Sequence, residues 1–222
     1  HPLVGTLTRV SDGADVTPAE LADAMADARF VLLGETHNNP DHHALQAWAV
    51  RSLAARGRRP AVAFEMLDAD QTEPLRTFLA DDPDSAAGLG AAVGWGERGW
   101  PVWSSYQPIA DAALGAGMSL RTADVAPGTQ RHVGRKGFDG AMSHDERTRL
   151  GLATPLGETA RERLIADLVE GHCNMLPESA MGPMARVQRL RDAVMADSLI
   201  DAARDTGDGA VLIAGRGHVR AD

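Results

Sequence analysis

The sequence predicts an α/β fold, in which a mainly parallel sheet carries helices on both of its faces. Short apolar segments alternate along the chain with longer helical patterns. The short segments are apolar at consecutive positions, so strands formed from them would be buried on both faces, as is typical of a parallel sheet between helices. No repeat of fixed period and no low-complexity tract is visible. We expect a single domain over residues 1–222, because 222 residues with 44% hydrophobic side chains can form one sizeable core.

Four short segments are predicted as strands. The first is a run of Phe, Val and Leu that ends at Gly34, and the last is fully apolar. Runs of this length and composition, bounded by glycine or by charged residues, indicate buried strands. The four segments are residues 30–33, 61–64, 118–125 and 210–214.

Helical patterns fill most of the chain between these strands. Pro40 and Asp41 begin a helix that Gly57 ends, which is the usual placing of proline and glycine at helix termini. Apolar residues at helical spacing predict further helices over residues 68–79, 108–114, 158–169 and 183–203. The Gly-, His- and Arg-rich stretch before residue 158 is assigned no element.

Residues 81–105 interrupt this alternation. They contain many glycines and three of the four tryptophans. We expect an inserted loop or a small helical lobe here, within the single domain.

Composition and charge exclude several classes of function. The chain has 22 basic and 31 acidic side chains and a formal net charge of −9, and without a basic run it has no surface for nucleic acid. No apolar stretch approaches the ~20 residues that span a bilayer. Cys173 is the one cysteine, which excludes an intrachain disulfide, and we expect its side chain to be buried. The start at His1 instead of methionine suggests an exported, processed protein.

Carboxylates and imidazoles follow the predicted strands. The first strand leads into Gly34-Glu35-Thr36-His37 and the last into Gly215-Arg216-Gly217-His218. Glu65 follows the second strand and Asp124 lies at the end of the third. Because the carboxyl ends of parallel strands share one edge of the sheet, we expect these groups to converge there, as a divalent-metal site or an acid–base site. Each group alone could equally cap a helix or pair with an arginine.

The last predicted helix carries a polar stripe. Gln188, Arg191, Asp192 and Met195 recur at spacings of three and four residues. The stripe could face solvent, or it could pass beneath the strand ends and pair Arg191 with Glu35, with Glu65 or with a ligand carboxylate.

Two further clusters are candidates for ligand binding. Tyr106, the one tyrosine of the chain, follows Trp95, Trp100 and Trp103, and a phenolate can ligate ferric haem iron. The alternative is that the tryptophans anchor a loop and the tyrosine hydroxyl caps a helix. The second cluster, Gly171-His172-Cys173-Asn174-Met175, contains soft-metal or haem ligands but has no zinc-site spacing.

An ordered string of motifs resembles the ChaN family, iron-regulated haem-binding lipoproteins related to the TraB and Tiki proteins. The resemblance extends from His1 to Arg220. Its motifs are Leu-Leu-Gly-Glu-Thr-His-Asn-Asn-Pro-Asp-His-His, Phe-Glu-Met-Leu, Trp-Ser-Ser-Tyr-Gln-Pro, His-Cys, Gln-x-x-Arg-Asp-x-x-Met-Ala and Ala-Gly-x-Gly-His-Val-Arg.

The resemblance implies a haem-binding protein linked to haem and iron uptake. Tyr106 would ligate the iron at the carboxyl edge of the sheet, and His172 or a motif histidine would lie nearby as a hydrogen-bonding or alternative ligand. Trp103, Met175 and Gln188 would also contact the haem.

The family further implies an exported protein of the cell envelope, periplasmic or lipid-anchored. We expect a homodimer around haem, served by an outer-membrane haem receptor or transporter.

The wider superfamily implies an alternative, a divalent-metal-dependent protease or esterase. His37, Glu65 and His218 would then bind Mn, Co, Zn or Fe, and Glu35, Glu65 and Arg191 would be catalytic.

Overall fold

The computed structural model describes residues 3–172, 175 and 177–220. Its central element is a parallel sheet whose strands, among the described residues, lie in the order β3-β6-β4-β5. These strands are β3 (Phe30–Glu35), β4 (Ala61–Asp68), β5 (Leu120–Asp124) and β6 (Ala210–Gly215), and β1 (Thr8–Arg9) with β2 (Ala14–Asp15) forms a separate short hairpin. The helices are α1 (Pro18–Asp27), α2 (Pro40–Ala55), α3 (Thr72–Asp81), α4 (Leu89–Ala92), α5 (Trp103–Leu114), α6 (Pro127–Ala141), α7 (His144–Arg149), α8 (Glu158–Gly171) and α9 (Glu178–Thr206). The α/β fold with helices on both faces is confirmed.

Alternate residues of the strands face two different helix layers. Val62, Phe64 and Ile213 point into a large core shared with α1, α2 and α5. Ala63 and Leu212 point the other way, toward the buried face of α9. Burial on both faces explains why these strands are apolar at consecutive positions.

α2 illustrates how local sequence sets the ends of a helix. The Asn39 side chain accepts a hydrogen bond from the Asp41 backbone N–H, and Pro40 occupies the first turn. After Arg56 the chain reaches Gly57 with φ at +78°, a left-handed conformation that favours glycine. The helix therefore begins and ends where the sequence predicts.

Three helices, α1, α6 and α7, lie where the sequence pattern predicted none. α1 and α7 begin at the capping boxes of Thr17 with Glu20 and of Ser143 with Glu146. α6 occupies the Gly-, His- and Arg-rich stretch; it buries Val133 and is kinked at Gly137, whose φ is +72°.

The remaining layer is built on α9, which is 29 residues long. α6 packs against α9 through a small core that includes Val133 and Leu190. α8 also contacts α9, but none of its side chains is fully buried. Within the described residues, no helix is both long and apolar enough to cross a membrane.

Candidate functional site

A network of buried charges lies at the carboxyl edge of the sheet. Glu65, in β4, is 2% exposed and accepts a hydrogen bond of 2.6 Å from the Arg191 guanidinium and another of 2.6 Å from the Gly215 backbone N–H. Arg191, on α9, also donates to the Asp124 carboxylate at 2.8 Å. The sequence-predicted pairing of Arg191 is thus with Glu65, joined by Asp124, and not with Glu35.

His218 completes this network from the C-terminal side of β6. Its Nε2 lies 3.3 Å from Glu65 Oε1, and its Nδ1 lies 2.5 Å from Asp192 and 3.0 Å from the side-chain amide of Gln188. Burial opposes protonation of His218, but its hydrogen bonds to Asp192 and Glu65 raise its pKa to about 9. Burial likewise opposes ionisation of Glu65, yet His218 and then Arg191 lower its pKa to about 2. At neutral pH both groups are therefore charged.

Gly34 and Gly215 lie where the chain leaves β3 and β6. Both are needed for close packing and not for a left-handed backbone conformation. A Cβ on Gly215 would lie 2.9 Å from His37 Nε2 and 3.4 Å from Glu65 Oε2. A Cβ on Gly34 would lie 2.5 Å from a methyl carbon of Val219. Because neither distance leaves room for a side chain, glycine is what allows His37 and the C-terminal segment to approach the strand ends.

A second polar group surrounds Glu35, at the end of β3. The Tyr106 hydroxyl donates to Glu35 Oε1 at 2.5 Å, and His37 Nδ1 lies 2.7 Å from the same oxygen. Burial opposes ionisation of Glu35, but the hydrogen bonds from His37, Tyr106 and Gln46 lower its pKa. Burial and the bond to Glu35 raise the pKa of Tyr106 far above its usual range. Tyr106 is therefore a protonated, completely buried phenol.

The histidines expected to bind a metal do come together, around Glu65. His37 Nε2 is 3.9 Å from Glu65 Oε1, and His218 Nε2 is 3.3 Å from the same oxygen. However, Arg191 already neutralises Glu65 and His218 is protonated, so a cation would have to displace both. No group of three or more His, Cys, Asp or Glu side chains in the described part of the chain is arranged to hold a metal ion. The geometry therefore gives no support to the divalent cofactor.

Beside this network lies a cleft of about 850 Å³ between α6, α8 and α9. Arg191 and Gln188 form the end of the cleft that reaches the strand edge. Its walls combine apolar side chains with basic ones: Leu168, Pro183, Met184 and Val187, and Arg131, Arg135 and Arg186.

His172 lies in this cleft at the end of α8. Its Nδ1 is 2.7 Å from the Leu168 carbonyl oxygen, so Nδ1 carries the proton and donates it to that oxygen. The lone pair then resides on Nε2, the arrangement in which an imidazole can ligate a metal. Its side chain is exposed.

An arginine in the cleft has an unused donor. Arg186 donates from Nη2 to the Gly134 carbonyl oxygen at 3.0 Å. Its Nε is buried and has no hydrogen-bond partner among the residues described. Such an orphaned donor favours an anionic ligand.

The other expected ligand residues are dispersed. Trp103 donates its Nε1 hydrogen to the Ala86 carbonyl oxygen and packs on Trp95, and Met175 is 81% exposed. Gln188 lines the cleft. Cys173 and Asn174 lie outside the described residues. Arg131 and Arg135 were not among the predicted site residues, because no helix was predicted where α6 lies.

The fold and this edge define a ligand-binding α/β protein, with its polar groups where open parallel sheets place their sites. A sequence profile described as haem-binding uptake, Tiki superfamily, ChaN matches residues 21–222, so the chain belongs to that family. Membership indicates a haem-binding function related to uptake.

Comparison with solved structures agrees with the fold. One similar structure is described as cofacial haem binding to ChaN of Campylobacter jejuni; it has a TM-score of 0.70 and 17% identity, over 95% of this chain and 79% of that one. A second is the type III effector HopBA1, with a TM-score of 0.48 and 15% identity, over 89% of this chain and 71% of that one. No curated protein matches the sequence.

Proposed function

We propose that the chain binds haem in the cleft between α6, α8 and α9, with His172 Nε2 as the ligand to the iron. The observation that carries this is the hydrogen bond between His172 Nδ1 and the Leu168 carbonyl oxygen, which leaves Nε2 as the ring nitrogen available to a ligand at a cleft of about 850 Å³. The apolar wall formed by Leu168, Met184 and Val187 suits the porphyrin ring.

The basic residues of the cleft would receive the two propionates. Arg131 and Arg135 are exposed on α6, and Arg186 has the buried, unpartnered Nε. Arginine binds carboxylates in two-point hydrogen bonds, which also fixes the orientation of the ring. These three arginines concentrate positive charge at the cleft, although the formal net charge of the chain is −9.

Tyr106 is the other candidate for the iron ligand. To ligate, its hydroxyl would have to leave Glu35 and give up a proton that burial and Glu35 both hold in place. The geometry therefore favours His172.

In keeping with the family's role, we propose that the protein works in the cell envelope. We propose that it exchanges haem with an outer-membrane receptor or transporter and pairs with a second copy around the ligand.

Haemin titration followed by absorption spectroscopy tests this function. We expect saturable binding, weakened about tenfold or more and spectrally altered in His172→Ala. His132→Ala removes an exposed histidine of α6 that does not line the cleft, and it should match the wild type.

The same titration distinguishes the two candidate iron ligands. It also separates binding of the iron from binding of the propionates. Tyr106→Phe should leave the spectrum unchanged; a lost tyrosinate-type spectrum would assign the iron to Tyr106 instead. Arg135→Ala should weaken haemin and iron-free protoporphyrin alike, whereas His172→Ala should weaken haemin alone. Unsaturable binding by the wild type would overturn the proposed function.

A further inference from the structure

A second cavity lies on the opposite side of the sheet from the haem cleft. It has a volume of about 620 Å³ and is enclosed by the turn at residues 5–7, α1, the edge strand β3 and α2. Its walls include Leu21, Met25, Val31, Leu45, Trp48 and Ala49. Met25, Val31 and Ala49 belong to the main core, so the cavity penetrates from the surface into that core.

The chemistry of the walls restricts the ligand. Among the described residues, no Asp, Glu, Lys or Arg lines the cavity, and its polar side chains are those of Thr6, His42 and Gln46. Of the apolar side chains that the structure describes in this lining, Trp48 has an indole and the others are aliphatic. A flexible aliphatic chain matches such walls, because it gains from burial without needing a charged partner or a stacking surface.

Gln46 supplies a polar side chain to the wall of this apolar cavity. The residue is 3% exposed, and its Nε2 donates to the Leu33 carbonyl oxygen at 3.0 Å. Its Oε1 is buried and accepts no hydrogen bond from the residues described. An unmatched buried acceptor is costly, and a ligand that donates a hydrogen bond would remove that cost.

The entrance is also apolar. Leu45 is 57% exposed and Leu32, on the edge strand, is 47% exposed, and both line the cavity. Large apolar side chains exposed together around a cavity indicate contact with an apolar ligand.

We propose that this cavity binds a single aliphatic chain whose head group donates a hydrogen bond, such as a hydroxyl or an amide, to Gln46. The chain could belong to a free amphiphile or to a lipid in a bilayer. The site is separate from the haem cleft and does not depend on haem binding.

Trp48 provides a direct test, because bromine quenches indole fluorescence on contact. The probe is dodecanol with a bromine at the far end of its chain, added to the intact protein. We expect saturable quenching in the wild type that is lost in Trp48→Phe, since the other tryptophans do not line this cavity. Equal quenching in Trp48→Phe would overturn the proposal.

Two variants block the cavity in different ways. Ala49→Phe fills it, and Leu45→Arg places a charge at its entrance on a side chain already exposed to solvent, so that folding is preserved even if the first variant unfolds. Both should weaken probe binding at least tenfold while haemin titration remains unchanged. Val10→Arg, at a position 97% exposed and outside the lining, is the matched control and should bind normally.

Two comparisons of ligands complete the experiment. The methyl ether of the same probe cannot donate a hydrogen bond, and it should bind more weakly than the alcohol; equal affinity would overturn the role of Gln46. Vesicles of a brominated phosphatidylglycerol, whose head group carries hydroxyl donors, should quench Trp48 if the chain comes from a bilayer, whereas quenching by bromododecanol alone assigns a free amphiphile. Quenching by neither excludes the site.

Discussion

At the scale of single residues, Arg191 is the group on which the strand-edge network depends. It bonds to Glu65 and Asp124, which are 2% and 6% exposed. Two buried carboxylates so close together would repel each other without a cation between them. Helical spacing put Arg191 on a polar stripe and made Glu65 one of several possible partners, but it could not decide between them or exclude a stripe that faces solvent.

Replacing Arg191 with leucine should therefore be severely destabilising. We expect Arg191→Leu to lower the free energy of unfolding by about 3–5 kcal/mol, because it leaves buried carboxylates unpaired. Urea denaturation measures the change. Arg204→Ala is the matched control on the same helix; its pair with Asp201 is 69% and 61% exposed, so the loss should be about 0.5 kcal/mol or less. Equal losses in both variants would contradict the role given to Arg191.

His218 should make stability depend on pH above neutrality. Its folded pKa of about 9 lies above the ordinary 6.5, so the folded state binds the proton more tightly. The resulting stabilisation is complete below pH 6.5 and is lost as pH rises toward 9, by up to about 1.4 kcal/mol per pH unit. Denaturation across that range should show the loss in wild type and a flatter profile in His218→Gln. Parallel profiles would show that another group is responsible.

Glu65 acts at the opposite end of the pH scale. Its folded pKa of about 2 is below the ordinary 4.5, so its contribution is present above pH 4.5 and is lost as pH falls toward 2. The strand-edge network is therefore most stable between these two windows.

At the scale of secondary structure, α8 is the least firmly packed of the long helices. The sequence predicts that Ala160, Leu164, Ile165 and Leu168 share an apolar face, and three of them line cavities instead of a packed core. Leu168 borders the cleft between α6, α8 and α9, while Ala160 and Leu164 border a smaller space of about 360 Å³. A helix with an apolar face and no buried side chain is held by few contacts.

Hydrogen exchange should detect the weak packing of α8 directly. We expect the amides of residues 158–171 to exchange rapidly without ligand and to become protected when haem fills the cleft beneath Leu168 and His172. The amides of α2, which buries residues such as Val50 and Leu53, provide an internal reference that should not change. Protection of α8 that is the same with and without haem would contradict a ligand-ordered helix.

The elements also show what the sequence could and could not predict. The strands and α2 were recognisable because consecutive apolar residues or clear caps mark them. α6 was missed because its glycines have low helix propensity and Val133 is its one buried side chain, so no apolar period is visible. Without α6, the basic wall of the cleft between α6, α8 and α9 could not be predicted. The orphaned atoms of Arg186 and Gln46 depend on tertiary contacts that no spacing reveals.

At the scale of the whole molecule, the sheet joins two helix layers of different composition. The core with α1, α2 and α5 contains Trp95 and contacts Trp48, Trp100 and Trp103. The sequence after residue 103 contains no tryptophan, so the layer of α6, α8 and α9 contributes no tryptophan fluorescence. Circular dichroism, in contrast, reports the helices of both layers.

This difference tests whether the chain unfolds as one unit. Alternate residues of β4 and β6 belong to the two cores, so neither layer can lose its packing without exposing one face of the same strands. We therefore expect tryptophan fluorescence and far-ultraviolet circular dichroism to give coincident urea transitions, with equal midpoints and slopes. An earlier transition seen by circular dichroism alone would mean that the α9 layer unfolds separately, and the single-domain prediction would be wrong. Because the cleft lies within that layer and Arg191 ties it to β4, haemin should raise both midpoints together.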